Sequence, residues 1–124
     1  FSPLANGFLT ARYRDNSQFA TDGSDFRRRM PQFTTQGVAQ NEALLNLIET
    51  MAQEKGATPA QLSLAWMLSK KPYIVPIPGS RKLDRVRENL GATDIVLTVQ
   101  EVKQIDAALN VIPISEVFGG HGGR

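Results

Sequence analysis

Residues 73–91 constrain this chain more than any other stretch. Tyr73-Ile74-Val75-Pro76-Ile77-Pro78 is short, apolar and bounded by proline and glycine, the pattern of a fully buried parallel strand. Pro76 favours an edge or irregular strand end. The run empties through Pro78-Gly79 into a short helix whose first turns carry Ser80, Arg81, Lys82 and Arg85, closed by Leu90-Gly91. Backbone N–H groups at a helix start attract an anion, serine can donate to it, and arginine offers a planar fork that fits phosphate oxygens. Arg85, Glu88 and Asn89 stand at i, i+3 and i+4, so they share one face beside that anion site. A solvated, salt-bridged surface helix is the plainer reading of the same residues.

Composition narrows the class. At 124 residues, 41% hydrophobic and 21% charged, the chain reads as one globular domain or a piece of one. It contains no apolar run of the ~18 residues a membrane span needs and no signal-peptide pattern. With no cysteine there is no disulfide framework or thiolate metal site, and a cytoplasmic setting is expected. Lys+Arg 14 against Asp+Glu 12 gives a net charge of only +2, which is no nucleic-acid footprint. The densest basic run, Arg27-Arg28-Arg29, reads as a solvated or carboxylate-paired surface.

In chain order, residues 1–11 read as a strand end entering a loop that brings backbone close to a ligand, punctuated by Pro3 and Gly7. Because Phe1 is not a start methionine, the chain is expected to begin inside a larger protein. Residues 12–40 lack sustained periodicity and read as one long loop, either a lid or binding loop or else a poorly ordered stretch, with a short helix at 26–30 stopped by Pro31. Leu44, Leu45, Leu47, Ile48, Met51 and Ala52 repeat at helical spacing, with Gly56 as a left-handed stop. Thr58-Pro59-Ala60-Gln61 is a capping box with proline at the first helical position, starting a helix to about Lys70 whose stripe of Leu62, Ala65 and Trp66 faces a core. Thr98-Val99-Gln100-Glu101 is a second capping box, opening a helix to about Leu109. The tail to Arg124 is glycine-rich and expected to be loose at its end.

This order is that of an α/β protein. Two strands cannot close a barrel without leaving unpaired edges, and a full (β/α)8 barrel takes about 250 residues. Either this is a fragment of such a barrel or it is a small helical domain with a marginal sheet, and the buried character expected of 73–77 and the strand-like start at Phe1 favour the fragment.

Five segments carry a family resemblance: Phe-Ser-Pro-Leu-Ala-Asn-Gly at 1–7, Gly-Ser-Asp-Phe-Arg-Arg-Arg at 23–29, Thr-Pro-Ala-Gln-Leu-Ser-Leu-Ala-Trp at 58–66, Ile-Pro-Gly-Ser-Arg at 77–81 and Glu-Asn-Leu-Gly-Ala at 88–92. In this order and spacing they resemble the aldo-keto reductases, NADPH-dependent (β/α)8-barrel enzymes, over nearly the whole chain up to about Leu109. The resemblance implies that the chain is the C-terminal portion of a (β/α)8 TIM barrel, incomplete as given: residues 1–11 end strand 7 and form the cofactor loop, 41–72 are two helices, 73–92 hold strand 8 with the 2′-phosphate and adenine site, and 98–124 are the C-terminal helix and tail.

It also implies residue roles. Phe1 would stack on nicotinamide; Ser2, Leu4, Asn6 and Gly7 would embrace the pyrophosphate. Ser80 and Arg81 would take the 2′-phosphate, with Arg85 at the phosphate or adenine, and Glu88 with Asn89 would hold the adenine edge. Lys82 adds charge or is merely solvated. Several branches place a lysine where this chain has Gly79, so charge at the 2′-phosphate must come from Arg81, Lys82 or Arg85.

The family's catalytic Tyr, Lys, Asp and His match nothing here. Tyr13 and Tyr73 stand elsewhere, and His121 reads as a solvated tail residue. No catalytic or metal-binding residue is assigned. The implied function is NADPH-dependent reduction of aldehydes or ketones, this chain supplying most of the cofactor site, acting on a small carbonyl substrate with the missing N-terminal part of the same barrel. On its own the segment is expected to be inactive. The alternative is a non-catalytic NADP(H)-binding regulatory subunit of the potassium-channel β type. Phe19, Phe26 and Phe33 read as anchors of the 12–40 loop rather than as pocket walls.

Overall fold

The computed structural model describes residues 1–116. His121 and the glycine-rich end of the tail lie outside them. Five α-helices form among the described residues: α1 Thr35–Gln40, α2 Glu42–Glu54, α3 Pro59–Lys70, α4 Leu83–Leu90 and α5 Val99–Val111. Short 3-10 turns fill the segments before α1 and follow α4 at Gly91–Asp94.

Both capping boxes form. The Thr58 hydroxyl accepts from Gln61 N at 3.2 Å while Gln61 Oε1 accepts from Thr58 N at 3.0 Å, and Thr98 and Glu101 repeat the exchange at the start of α5. Each pair satisfies two backbone donors that a helix start would otherwise leave orphaned. After α2 the chain turns through Gly56 at φ +61°, a left-handed conformation that glycine enters without a Cβ clash.

Three expectations need correction. Residues 73–78 form no strand, and none is placed beside them among the described residues; Tyr73, Val75 and Ile77 are exposed, Val75 at 77%. A strand exists by its ladder, and no ladder partner lies alongside. Nor is Phe1–Leu4 a strand end, because the chain turns there and enters a 3-10 segment at Ala5–Thr10. Residues 12–40 are not one structureless loop: 3-10 turns at Asn16–Gln18, Phe26–Arg29 and Pro31–Phe33 lead into α1.

What organises that segment is aromatic. Phe33 is fully buried, and its ring meets Phe8, Phe19 and Tyr13 edge-on with centroids 5.6, 4.8 and 6.1 Å away, the geometry that ring quadrupoles favour. Phe26, by contrast, is exposed. A second apolar cluster joins Ile48, Met51 and Ala52 of α2 to Leu62 of α3 and Ile105 of α5. Leu9 packs against both clusters. Trp66 is half-buried beside the second cluster, and its indole N–H donates to Asp106 Oδ1 at 2.9 Å; Lys70 pairs with the other carboxylate oxygen, tying α3 to α5.

Gly37 in α1 is a place where only hydrogen fits, since a Cβ would stand 1.9 Å from the Pro31 carbonyl oxygen. Helix propensity alone would make Gly37→Ala stabilising by about 1 kcal/mol. The clash reverses the sign, and the variant should lose about 1–3 kcal/mol in denaturant melts of the protein carrying this segment. Lys70 and the Trp66 N–H together hold the Asp106 carboxyl below its usual range. A depressed folded-state pKa stabilises above the unfolded value and is lost as pH falls through the folded one. Asp106→Asn should accordingly flatten the acid limb of a stability-versus-pH curve; an unchanged limb would show that the pair carries no linkage.

Candidate functional site

The chain's first turn is built from unusual backbone. Ser2, Ala5 and Asn6 hold left-handed φ of 47°, 48° and 59°, followed by Gly7 at 95°. Ala5 N and Gly7 N donate to Ser2 O and Leu4 O, both at 2.9 Å, so the strand-like reading gives way to a tight coil. Gly7 is favoured by its φ, and a Cβ there would also press on the Tyr13 ring at 3.1 Å. The coil turns its polar edge toward the segment that leads into α4.

Between them lies a cleft of about 420 Å3. Of the residues singled out from sequence, Ser2, Leu4, Asn6, Gly7, Gly79, Ser80, Arg85, Glu88 and Asn89 all line it. The helical spacing of Arg85, Glu88 and Asn89 puts them on one wall, as expected. Arg81 and Lys82 do not line this cleft. They face an adjoining cavity of about 640 Å3 that also borders Tyr13, Asp25, Phe26, Arg27, Gly79, Ser80 and Arg85, so Phe26 is a cavity wall here and not the loop anchor expected. Phe1 lines neither cavity and is 92% exposed.

The start of α4 is backed by Ser80, whose hydroxyl accepts from Lys82 N at 3.1 Å, and no side chain caps the helix itself. Arg85 N and Val86 N both donate to Lys82 O at 3.1 Å, and the helix start carries the partial positive charge that favours an anion. No Cβ placed on Gly79 would meet any atom within 4 Å.

Three polar wall residues were not singled out for the site from sequence. Thr10 anchors the coil by donating to Gly7 O at 2.6 Å. Arg12 reaches across the cleft to Glu88, with Nη2 3.0 and 2.8 Å from the two carboxylate oxygens. Arg27 lines both cavities; it pairs with Asp25 and lies over the Tyr13 and Phe19 rings at 4.9 and 4.4 Å from their centroids. The carboxylate-paired reading of the arginine run thus holds for Arg27. Its place on the wall depends on aromatic contacts that no local pattern announces. Arg28 is used structurally, donating to the carbonyls of Asn16 and Phe19.

Burial pushes the Tyr13 hydroxyl up, but Arg85 and Arg27 beside it outweigh that and bring the phenol below its ordinary range. One further wall atom stands out: Asn6 Nδ2 is buried with no hydrogen-bond partner. An unpaired buried donor is costly, and this one belongs to a residue of the cleft wall. Among the described residues no group of three or more His, Cys, Asp or Glu could hold a metal ion.

The sequence profile of the aldo/keto reductase family matches residues 1–110. Among curated proteins, the chain is 38% identical over 108 residues to aldo-keto reductase yakc, NADP(+), of Schizosaccharomyces pombe, covering 87% of this chain and 31% of that one. It is 34% identical to aldo-keto reductase str7 of Strobilurus tenacellus over 124 residues, 100% of this chain and 35% of the relative. A probable aldo-keto reductase 1 of Glycine max is 33% identical over 120 residues, 97% and 33% of the two chains. The chain spans about a third of the length of these relatives.

The Tyr13 environment is open to direct titration. The ultraviolet difference between the protein and Tyr13→Phe should reveal a phenol ionising below the ordinary value of about 10. Arg85→Ala should move that ionisation upward. No movement would mean that the guanidinium does not reach the hydroxyl in solution.

Proposed function

The chain belongs to the aldo/keto reductase family, and from that membership we propose that it forms most of the NADPH site of a (β/α)8-barrel oxidoreductase reducing aldehydes or ketones to alcohols. The observation that carries the reading is the convergence of residues 2–12 with 77–89 on one polar cleft. The fit to a phosphorylated dinucleotide is local and chemical. Arg12, Arg27 and Arg85 on the cleft, with Arg81 and Lys82 on the adjoining cavity, outnumber the carboxylates Glu88 and Asp25 among the described lining residues. Asn6 Nδ2 supplies a buried donor awaiting an acceptor.

In this reading Ser2, Leu4, Asn6 and Gly7 hold the pyrophosphate. Ser80, Arg81 and the uncapped start of α4 hold the 2′-phosphate, with Arg85 beside them. Lys82 adds charge on the same side. Glu88 accepts from the adenine amino group: an ionised carboxylate offers about four lone-pair sites, so its pairing with Arg12 leaves capacity for a second donor. Asn89 meets the same ring edge. Phe1 takes the nicotinamide end, where it would stack once neighbouring strands frame it.

NADPH, when bound, supplies the hydride. This chain's residues bind and orient, and the proton-handling Asp, Tyr, Lys and His lie on other strands of the barrel. The same reading turns residues 73–77 into a barrel strand by giving their backbone neighbours, and it makes the carbonyl substrate a ligand of the completed barrel mouth. The name of the Schizosaccharomyces pombe relative includes NADP(+), which accords with a phosphorylated cofactor here.

Charge-assisted hydrogen bonds contribute about 1.5–3 kcal/mol each. Arg81→Ala or Arg85→Ala in the full-length protein should therefore raise the NADPH Kd about 10- to 150-fold, measured by fluorescence titration, while NADH binding barely changes. Equal losses for the two cofactors would remove the 2′-phosphate assignment.

A further inference from the structure

The last turn of α4 carries Glu88 and Asn89, and its carbonyls must find donors beyond the helix. Gly91 N serves Arg87 O and Asn89 O. The Thr93 hydroxyl serves Leu90 O at 2.9 Å. The remaining acceptor, Glu88 O, receives Gln61 Nε2 at 2.9 Å, from a residue 27 positions earlier on a different helix.

Gln61 is well placed to be a fixed donor. Its Oε1 is already committed to Thr58 N in the capping box of α3, so the amide plane is set and Nε2 is left pointing at α4. On the far side Gly91 makes room for it, since a Cβ there would lie 2.6 Å from Nε2. Gly91 itself has an ordinary helical φ of −61°, so clearance rather than conformation explains the glycine. Gln61 does not line the cleft. Glu88 is thus gripped at both ends, by Gln61 at its carbonyl and by Arg12 at its carboxylate.

We infer that Gln61 is a positioning residue for the adenosine end of the cofactor, acting through the main chain of Glu88 without touching the ligand. The inference rests on the proposed NADPH site. The cap of α3 fixes the amide, the amide fixes the last turn of α4, and that turn sets where Glu88 and Asn89 present their side chains. The nicotinamide end, taken by Phe1, is not on this line of contacts.

The full-length protein with Gln61→Glu separates this role from a general stabilising one. Glutamate keeps the acceptor that Thr58 N needs, as Glu101 does for Thr98 in α5 at 2.7 Å, but has no N–H for Glu88 O. The variant should bind 2′,5′-ADP and NADPH about 5- to 30-fold more weakly, by comparable factors. Nicotinamide mononucleotide, followed by ligand-observed NMR, should bind unchanged. Gly91→Ala, which crowds Nε2 from the other side, should reproduce the effect, and the double variant should lose less than the two factors multiplied. Amide exchange in the last turn of α4 should quicken in both single variants, with no ligand present. Wild-type affinity for 2′,5′-ADP in Gln61→Glu overturns the positioning role, as do equal losses for 2′,5′-ADP and nicotinamide mononucleotide. If the unmodified protein fails to bind 2′,5′-ADP, the NADPH site itself falls and the positioning role with it.

Discussion

Every helix leaves four N–H groups at its start and four carbonyls at its end without partners, and this chain's arrangement follows from how those groups are closed. Threonine hydroxyls close the starts of α1, α3 and α5. The end of α4 is closed by side chains as well as by its own turn, one of them Gln61 from α3. The link runs further: Asn41 between α1 and α2 exchanges hydrogen bonds with Ser115 at 2.6 and 2.9 Å, drawing the segment after α5 back over the helices. Because hydrogen bonds left unmade in a buried setting cost more than made ones contribute, these closures fix the relative placement of helices more than their number suggests. The starts of α2 and α4 have no side-chain cap, and that of α4 follows Gly79 and Ser80 of the cleft wall.

Local grammar was legible. The two capping boxes, the α2 periodicity and the Gly56 stop are patterns within a few residues, and each formed where the sequence places it. Site legibility divided the same way. Spacing alone was enough to group Arg85, Glu88 and Asn89, and the family resemblance brought in the coil at residues 2–7; all of them reach one cleft. Arg12 escaped notice because its partner is 76 positions away, and Gln61 was read only as half of a cap because its second hydrogen bond crosses to another helix. The 73–78 run shows the opposite failure. Its composition speaks for a strand, yet strand formation depends on neighbours that composition cannot supply.

Aromatic packing explains the segment that lacked periodicity. Phe19 and Phe33 are buried against Phe8, Tyr13 and Leu45, as anchors of this segment, and Arg27 lies over Tyr13 and Phe19 while pairing with Asp25. A cation held over two rings and paired with a carboxylate is more constrained than a free surface arginine. That constraint lets a segment without long helices contribute a fixed charge to the cleft. The cationic character of the site is therefore assembled from three separate parts of the chain, at residues 12, 27 and 81–85, although the whole sequence is only +2.

The left-handed residues of the first coil have a further meaning for the unfolded chain. Ala5 and Ala11 sit at φ 48° and 57°, where a Cβ costs roughly 1–2 kcal/mol and glycine would fit without strain. Glycine would also give the denatured ensemble more freedom, which offsets about 0.4–1 kcal/mol of that relief. Much of what remains is returned by contact, since the methyl groups of Ala5 and Ala11 pack against the cluster of Phe8, Phe19 and Phe33. The two alanines thus convert backbone strain into side-chain adhesion and into a denatured state with fewer ways to wander.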